Sequence, residues 1–323
     1  MRILITNDDG ISAPGLKILT KIALQLTDEN NVFTVAPSSE RSGVGHCISY
    51  TSPMMITEIE KNRFSVDGYP ADCVLAGIYH VFDGQKPDLV LSGVNRGNNS
   101  AENVLYSGTI GAALEGALQG IKSIALSQYY GPQNLNLENP FEASEMHGVQ
   151  VISDILDSKS PTSGGYKLFY NVNFPPTNAQ DVCGVRYVKQ GLRPNSFFST
   201  KTHKSPSGRD FLFVEGGNQH ADLPKDTDAK VNMDGYISVT PMKADLTDYD
   251  TLKNFPNPNL KTVCLPINVI RASSPATAAT PKIPSQFDVC GATIATKRLL
   301  LYSSLIEPHT LQSNTVKIAL PNH

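Results

Sequence analysis

The chain has no apolar run approaching the roughly 18 residues that cross a membrane as a helix, so no membrane-spanning helix is expected. A secretory leader is equally hard to place. Met1 to Thr6 leads straight into Asn7-Asp8-Asp9-Gly10, which sets two acids where a leader would still be apolar. An excess of positive charge is missing too: 27 Lys and Arg face 30 Asp and Glu, a formal charge of −3. A protein built to hold nucleic acid or an anionic membrane needs a basic surface, so neither partner is expected. Five cysteines are scattered over 323 residues without a CxxC pair. That excludes a disulfide scaffold and a zinc ribbon, and it points to reduced thiols in the cytoplasm. Finally, there is no P-loop lysine motif, no GxGxxG fingerprint, no G-x-S-x-G elbow and no internal repeat. Nucleoside triphosphatases, dinucleotide dehydrogenases and α/β-hydrolases all lose ground. What remains is a soluble globular protein long enough to bury a substantial core.

The hydrophobic pattern then gives an architecture. Ile3-Leu4-Ile5 and Val32-Phe33-Thr34-Val35 are short apolar runs cut off by turn residues, as expected of parallel strands covered on both faces. Between them, Leu16, Leu19, Ile22, Ala23 and Leu26 recur at helical spacing over Pro14 to Leu26. Strand, helix, strand is the unit of a doubly wound sheet with a right-handed crossover. Further strands are expected at Asp88–Leu91, Ser123–Leu126 and Leu168–Phe174, with helices over Ile110–Leu118 and about Ala143–Leu156. The fold class is therefore α/β, a Rossmann-like, mostly parallel sheet flanked by helices. Residues 1–184 form its core. Residues 185–255 read as a β-rich extension completing the same domain, with strand-like pieces at Val185–Lys189, Asp210–Val214 and Tyr236–Thr240. Residues 256–323 change again: prolines throughout, only two acids (Asp288 and Glu307), and a single strong apolar cluster at Leu299-Leu300-Leu301. That composition predicts an atypical, poorly ordered tail.

The polar segments that could carry chemistry mostly follow strands. Open α/β sheets bind ligands at the carboxyl ends of their strands, where Asp8 and Asp9 fall. Adjacent carboxylates repel unless a proton or cation intervenes, and hard oxygen ligands favour Mg²⁺, Ca²⁺ or Mn²⁺; the plainer alternative is a turn in which one acid caps the next helix. Ser92-Gly93-Val94-Asn95-Arg96-Gly97-Asn98-Asn99 supplies amides and close-approach glycines, or simply a turn. Tyr106-Ser107-Gly108-Thr109 opens a helix whose free N–H groups and hydroxyls suit phosphate, or a plain N-cap. Arg41-Ser42-Gly43-Val44-Gly45-His46 offers a cation and hydroxyls in a loop; His46 reads as a surface or structural histidine.

Taken together and in this order, the segments resemble the SurE family, stationary-phase survival proteins that act as metal-dependent 5'/3'-nucleotidases. The matching stretches are Asn7 to Ile11 with Pro14-Gly15, Ala36-Pro37 through Gly43, Gly68 to Val74, Ser92 to Gly97, Tyr106 to Thr109, Thr227-Asp228 and Gly235 to Pro241. They cover roughly residues 1–255. Tyr69 stands where that family usually has threonine, and the tail beyond about Phe255 has no counterpart. The resemblance implies one divalent ion, Mg²⁺ or Mn²⁺, held by Asp8, Asp9, Ser42 and Asn95. It further implies phosphate binding by Asn95, Ser107, Gly108 and Thr109, with Asp8 or Asp9 as base or nucleophile. Its arms, the β-hairpin and C-terminal segments, are exchanged between subunits, so a homodimer or homotetramer is expected. The expected activity is hydrolysis of nucleoside monophosphates to nucleoside and phosphate. Two other classes stay open on the residues alone: a non-catalytic Rossmann-like sensor of phosphorylated metabolites, and an assembly scaffold. The paired acids argue against the sensor, because an anion sensor has no use for two carboxylates facing its ligand.

Overall fold

The computed structural model describes residues 1–158, 165–221 and 223–255. The expectation for 256–323 lies outside them. β1 (Ile3–Thr6), α1 (Pro14–Leu26) and β2 (Val32–Pro37) reproduce the unit read from the sequence. Pro14 opens α1 at a position where a helix has no N–H to lose, and Leu16, Leu19, Ile22 and Ala23 form its buried face. There follow β3 (Ile56–Glu60), β4 (Arg63–Val66) and α2 (Pro70–Ala76), whose end widens into a π turn over Gly77–Val81. The second half of the core is β5 (Leu89–Arg96), α3 (Gly108–Leu118), β6 (Lys122–Gln128), α4 (Glu142–Asp157) and β7 (Phe169–Phe174). The extension holds β8 (Val185–Tyr187), β9 (Ser199–Lys204), β10 (Asp210–Glu215), α5 (Asp228–Met233), β11 (Ile237–Met242) and α6 (Tyr249–Leu252).

Nine strands form one sheet in the order β3-β4-β2-β1-β5-β6-β7-β11-β8. The inner run from β4 to β7 is parallel throughout. Its connectivity reverses between β1 and β5, the doubly wound arrangement whose switch point opens a crevice at the strand ends. Alternation along β1 divides the core. Ile3 and Ile5 join Leu16, Leu19, Ile22, Val151 and Ile152 of α1 and α4 on one face. Leu4 joins Val74, Ile78 and Ala112 on the other, the side of α2 and α3. β3 and β11 run antiparallel to their neighbours β4 and β7.

Three features depart from the sequence reading. β5 does not stop at Leu91: after an irregularity between Ser92 and Asn95 it pairs Asn95 and Arg96 with Ser127 and Gln128 of β6, so Asn95 sits on a strand end. The β3–β4 hairpin and α2 were not foreseen, since β3 exposes most of its residues and α2 is a short helix buried throughout its first turns. In the extension the three expected pieces are present as β8, β10 and β11, but β9 was not foreseen; among the described residues it and β10 pair with each other outside the large sheet that β8 and β11 join, and Phe211, Leu212, Phe213 and Val214 are left exposed. Core and extension fall in one unit, Met1–Pro256.

The close approach of α1 to β5 depends on Gly15, where an added Cβ would lie 1.8 Å from the Val94 carbonyl oxygen. Backbone cannot yield as a side chain does. We expect Gly15→Ala to cost about 1–3 kcal/mol by overpacking, seen as a lower urea midpoint at an unchanged slope.

Candidate active site

The crevice at the switch point is built from the ends of β1 and β5, which pair through Thr6 and Ser92 just before the functional segments begin. Asn7 shapes the first loop: its side chain donates to the Gly10 carbonyl at 2.9 Å and accepts from the Gly10 N–H at 3.2 Å. Gly10, at φ 96°, makes the turn a side chain would strain. Asn7 is thereby occupied with holding the loop, and the next two residues are free for other work.

Asp8 is buried against the start of α3. The Thr109 hydroxyl donates to its Oδ1 at 2.5 Å and the Thr109 N–H to its Oδ2 at 3.1 Å. Gly108 permits this approach, because a Cβ there would meet the Asp8 Cβ at 2.9 Å and Pro70 and Val44 at 3.0 Å. Ser107 is the N-cap of α3, its oxygen accepting the Ile110 N–H at 3.1 Å. Of the four residues assigned to phosphate, then, Thr109 has both donors on Asp8. Among the described residues, the Gly108 N–H and the proton of the Ser107 hydroxyl remain unspent.

Asp9 is half-buried, and its Oδ2 accepts the Arg96 N–H at 3.1 Å, which sets it beside Asn95. Asn95 donates its amide to the Gly97 carbonyl at 2.9 Å, leaving the side-chain oxygen as its available ligand atom. Ser42 stands apart. It is exposed, donates to Glu40 Oε1 at 2.8 Å and forms no hydrogen bond with Asp8, Asp9 or Asn95. Its loop is nonetheless tied in, through the Arg41 N–H to the Asp8 carbonyl at 2.7 Å and through Arg96 to Glu40 at 3.8 Å. His46 pairs with Glu115 of α3 at 2.7 Å, in keeping with a structural histidine. Burial works against the Glu115 charge, yet the hydrogen bonds from His46 and Gln119 outweigh it and hold that carboxyl below its ordinary range.

The acids at the centre are electrostatically uncomfortable. Burial lifts the Asp8 carboxyl to about 6, with repulsion from Asp9 adding to the effect and the Thr109 hydrogen bonds opposing it. Burial also raises Asp9, helped by the charge of Glu40 and countered by the Arg96 N–H and guanidinium. Among the described residues no group of three or more His, Cys, Asp or Glu is placed to hold a metal. An ion at this crevice would have to add neutral oxygens, such as those of Asn95 and Ser42, to the two carboxylates. That donor set suits a hard, partly hydrated cation.

Beneath the site runs a scaffold that the sequence did not announce. The segment between Asn95 and Ser107 is held from the sheet by Asn171, Asn173 and Ser127, all bonded to Asn99. From the extension it is held by Arg193, 0% exposed, which donates to Asn98, to Ser100 and to Glu102 at 3.1 Å. Asp228, at the start of α5, accepts from the Ala101 and Gly191 N–H groups. The sequence signals were Asn98-Asn99, at the end of the segment after β5, and the acid at Thr227-Asp228; nothing marked Arg193 or Glu40.

Residues 3–196 match the family described as Survival protein SurE. The chain is 60% identical over 253 residues to the 5'-nucleotidase SurE of Roseobacter denitrificans, covering 78% of this chain and 97% of the relative. It is 58% identical over 254 residues to the protein of the same name from Ruegeria pomeroyi, covering 78% and 98%. The crystal structure of the SurE protein from Aquifex aeolicus superposes with a TM-score of 0.65 at 34% identity, covering 79% of this chain and 98% of that one. The chain belongs to the SurE family. The SurE resemblance drawn from scattered motifs thus holds over most of the chain, and so does the mostly parallel α/β fold. Among the described residues, no helix is long and apolar enough to cross a membrane.

The raised Asp8 carboxyl has a consequence for stability. The folded protein holds this proton more tightly than the unfolded chain, so the contribution is favourable below the ordinary value of 3.8 and is lost as pH rises through about 6. Ionised Asp8 then costs this metal-free SurE chain about 3 kcal/mol at neutral pH. We expect metal-free Asp8→Asn to melt at or above wild type at pH 8, the gap closing toward pH 5. Added Mg²⁺ or Mn²⁺ should raise the wild-type Tm and leave the variant unmoved, as read by differential scanning calorimetry.

Proposed function

We propose that this SurE-family chain is a metal-dependent phosphomonoesterase that hydrolyses nucleoside monophosphates, a 5'-nucleotidase with 3'-nucleotides as further candidates. The observation that carries the proposal is the buried Asp8 carboxylate, beside Asp9 and against the open end of α3, where the Gly108 N–H has no partner among the described residues. A buried carboxylate at an anion-binding helix end, with a second acid next to it in the chain, is accounted for by a cation between the acids and the phosphate. Asp8, Asp9, Asn95 and Ser42 would hold that ion, Mg²⁺ or Mn²⁺. When bound, such an ion polarises the phosphoryl oxygens and lowers the pKa of a coordinated water.

The protein's own groups have separable tasks. Thr109 engages both Asp8 oxygens and fixes that carboxylate in place. Asp9 keeps Oδ1 unengaged and is our choice for the group that takes a proton from the attacking water. The Gly108 N–H and the Ser107 hydroxyl donate to the non-bridging oxygens, where α3 begins and its dipole favours negative charge. Asn95 would serve both metal and phosphate, its side-chain oxygen toward the metal and the second proton of its amide, the first being on the Gly97 carbonyl, toward the phosphate. The relatives from Roseobacter denitrificans and Ruegeria pomeroyi are both called 5'-nucleotidase, which supports this choice of substrate. We also propose a cytoplasmic homodimer or homotetramer, with the exposed apolar residues of the β9–β10 hairpin as a subunit contact.

Release of p-nitrophenol from its phosphate ester, with and without Mn²⁺, separates this reading from a non-catalytic phosphate sensor. An inactive protein that still binds phosphate would overturn it. Asp9→Asn should lower turnover at saturating metal by at least about 100-fold, the range expected when a general base is lost, without lowering the Tm. Ser107→Ala should weaken inhibition by inorganic phosphate by about 1–3 kcal/mol, from one lost charge-assisted hydrogen bond. An unchanged inhibition constant would return Ser107 to helix capping alone.

A further inference from the structure

The groups assigned above touch only phosphate and metal, so nothing in them distinguishes a nucleotide from any other phosphate ester. One feature beside them could. Tyr106 directly precedes Ser107, and its carbonyl accepts the Gly45 N–H at 2.8 Å, which fixes its backbone between the phosphate end of α3 and the Ser42 loop. Its ring stays 48% exposed. Phe198, from the extension and 44% exposed, meets it edge to face with centroids 4.8 Å apart and planes at 69°.

The chain leading to Phe198 is tied down two residues earlier, where the Ser196 hydroxyl donates to the Asn218 carbonyl at 2.8 Å. Edge-to-face pairing leaves ring surface of both partners open, and an aromatic surface kept exposed beside a polar crevice asks for an apolar, planar guest.

Resting on the nucleotidase reading, we propose that Tyr106 and Phe198 form the platform on which the substrate's base stacks. The phosphate sits on Ser107 and Gly108, the ribose crosses the step to the preceding residue, and the base meets the rings. Every base has a π-face, so a stacking platform of this kind admits all of them. Preference follows the size of the stacked surface, purines ahead of pyrimidines, without hydrogen-bond readout of the base edge.

The test compares adenosine 5'-monophosphate with ribose 5-phosphate, the same sugar phosphate lacking its base, on the full-length protein. In wild type the nucleotide should have the lower KM. Tyr106→Ala and Phe198→Ala should each raise that KM roughly tenfold, the range of stacking on one aromatic, with kcat and the ribose 5-phosphate constants unchanged. Tyr106→Phe should restore the nucleotide KM, and Tyr106→Leu should not. Equal losses on both substrates, or a smaller assembly on gel filtration, would overturn the platform in favour of a structural or subunit contact. So would a nucleotide KM that ignores both alanine variants. Wild-type protein inactive on either ester would instead overturn the nucleotidase reading beneath it.

Discussion

A carboxylate placed where water hardly reaches is the constraint around which this molecule is arranged. Asp8 lies at the end of a fully buried strand and receives its hydrogen bonds from one residue, Thr109, at the mouth of α3. Several local choices follow from that single contact. Gly108 must lack a side chain to let the acid in, and the Arg41 N–H must close on the Asp8 carbonyl to bring the second loop over it. Asp9 is turned the other way, onto the β5 backbone at Arg96, so that two neighbouring acids do not share one donor set. The sheet supplies rigidity on both sides of the crevice, while the acids supply a field that is unfavourable until something positive enters it.

Most of the support beneath the acids is neutral; its charged members are Arg193, Glu102 and Asp228. The acids lie on top, with Glu40 and Arg96 at the rim. Below them is a layer of buried amides and hydroxyls, Asn99, Asn171, Asn173 and Ser127, which satisfy one another and the backbone of the connecting segment. A neutral network of this kind fixes geometry without adding to the repulsion above it. The segment from Asn95 to Ser107 can therefore carry residues assigned to both metal and phosphate at its two ends while being irregular along its length.

The sheet was legible because its strands are buried on both faces and its helices are amphipathic: β1, α1 and β2 fall where periodicity puts them, and α1 matches to the residue. Elements without such a face were not legible. β3 is mostly exposed, and α2 is seven residues long and buried, so neither presents a contrast between its sides. The crevice was legible as residue types after strands, since acids, Asn and Ser-Gly-Thr are costly to place there idly. Its internal wiring was not: that Thr109 serves Asp8, or that Ser42 bonds Glu40, depends on contacts more than 100 residues apart or on rotamers that spacing does not fix. Arg193 was the least visible of all, an ordinary arginine in a polar stretch whose burial comes entirely from tertiary structure.

That buried guanidinium imposes an order of events on the growing polypeptide. All six inner strands precede it in the chain, and domains condense from the N-terminus as synthesis proceeds. Until residue 193 has arrived, Asn98, Ser100 and Glu102 lack their common cationic partner, and the loop they belong to has its hold on the sheet through Asn99 but not its hold on the extension. The loop that carries the proposed metal and phosphate residues thus stays unfinished in the half-made chain, whose sheet can already be standing, and is completed by a residue that bonds none of them.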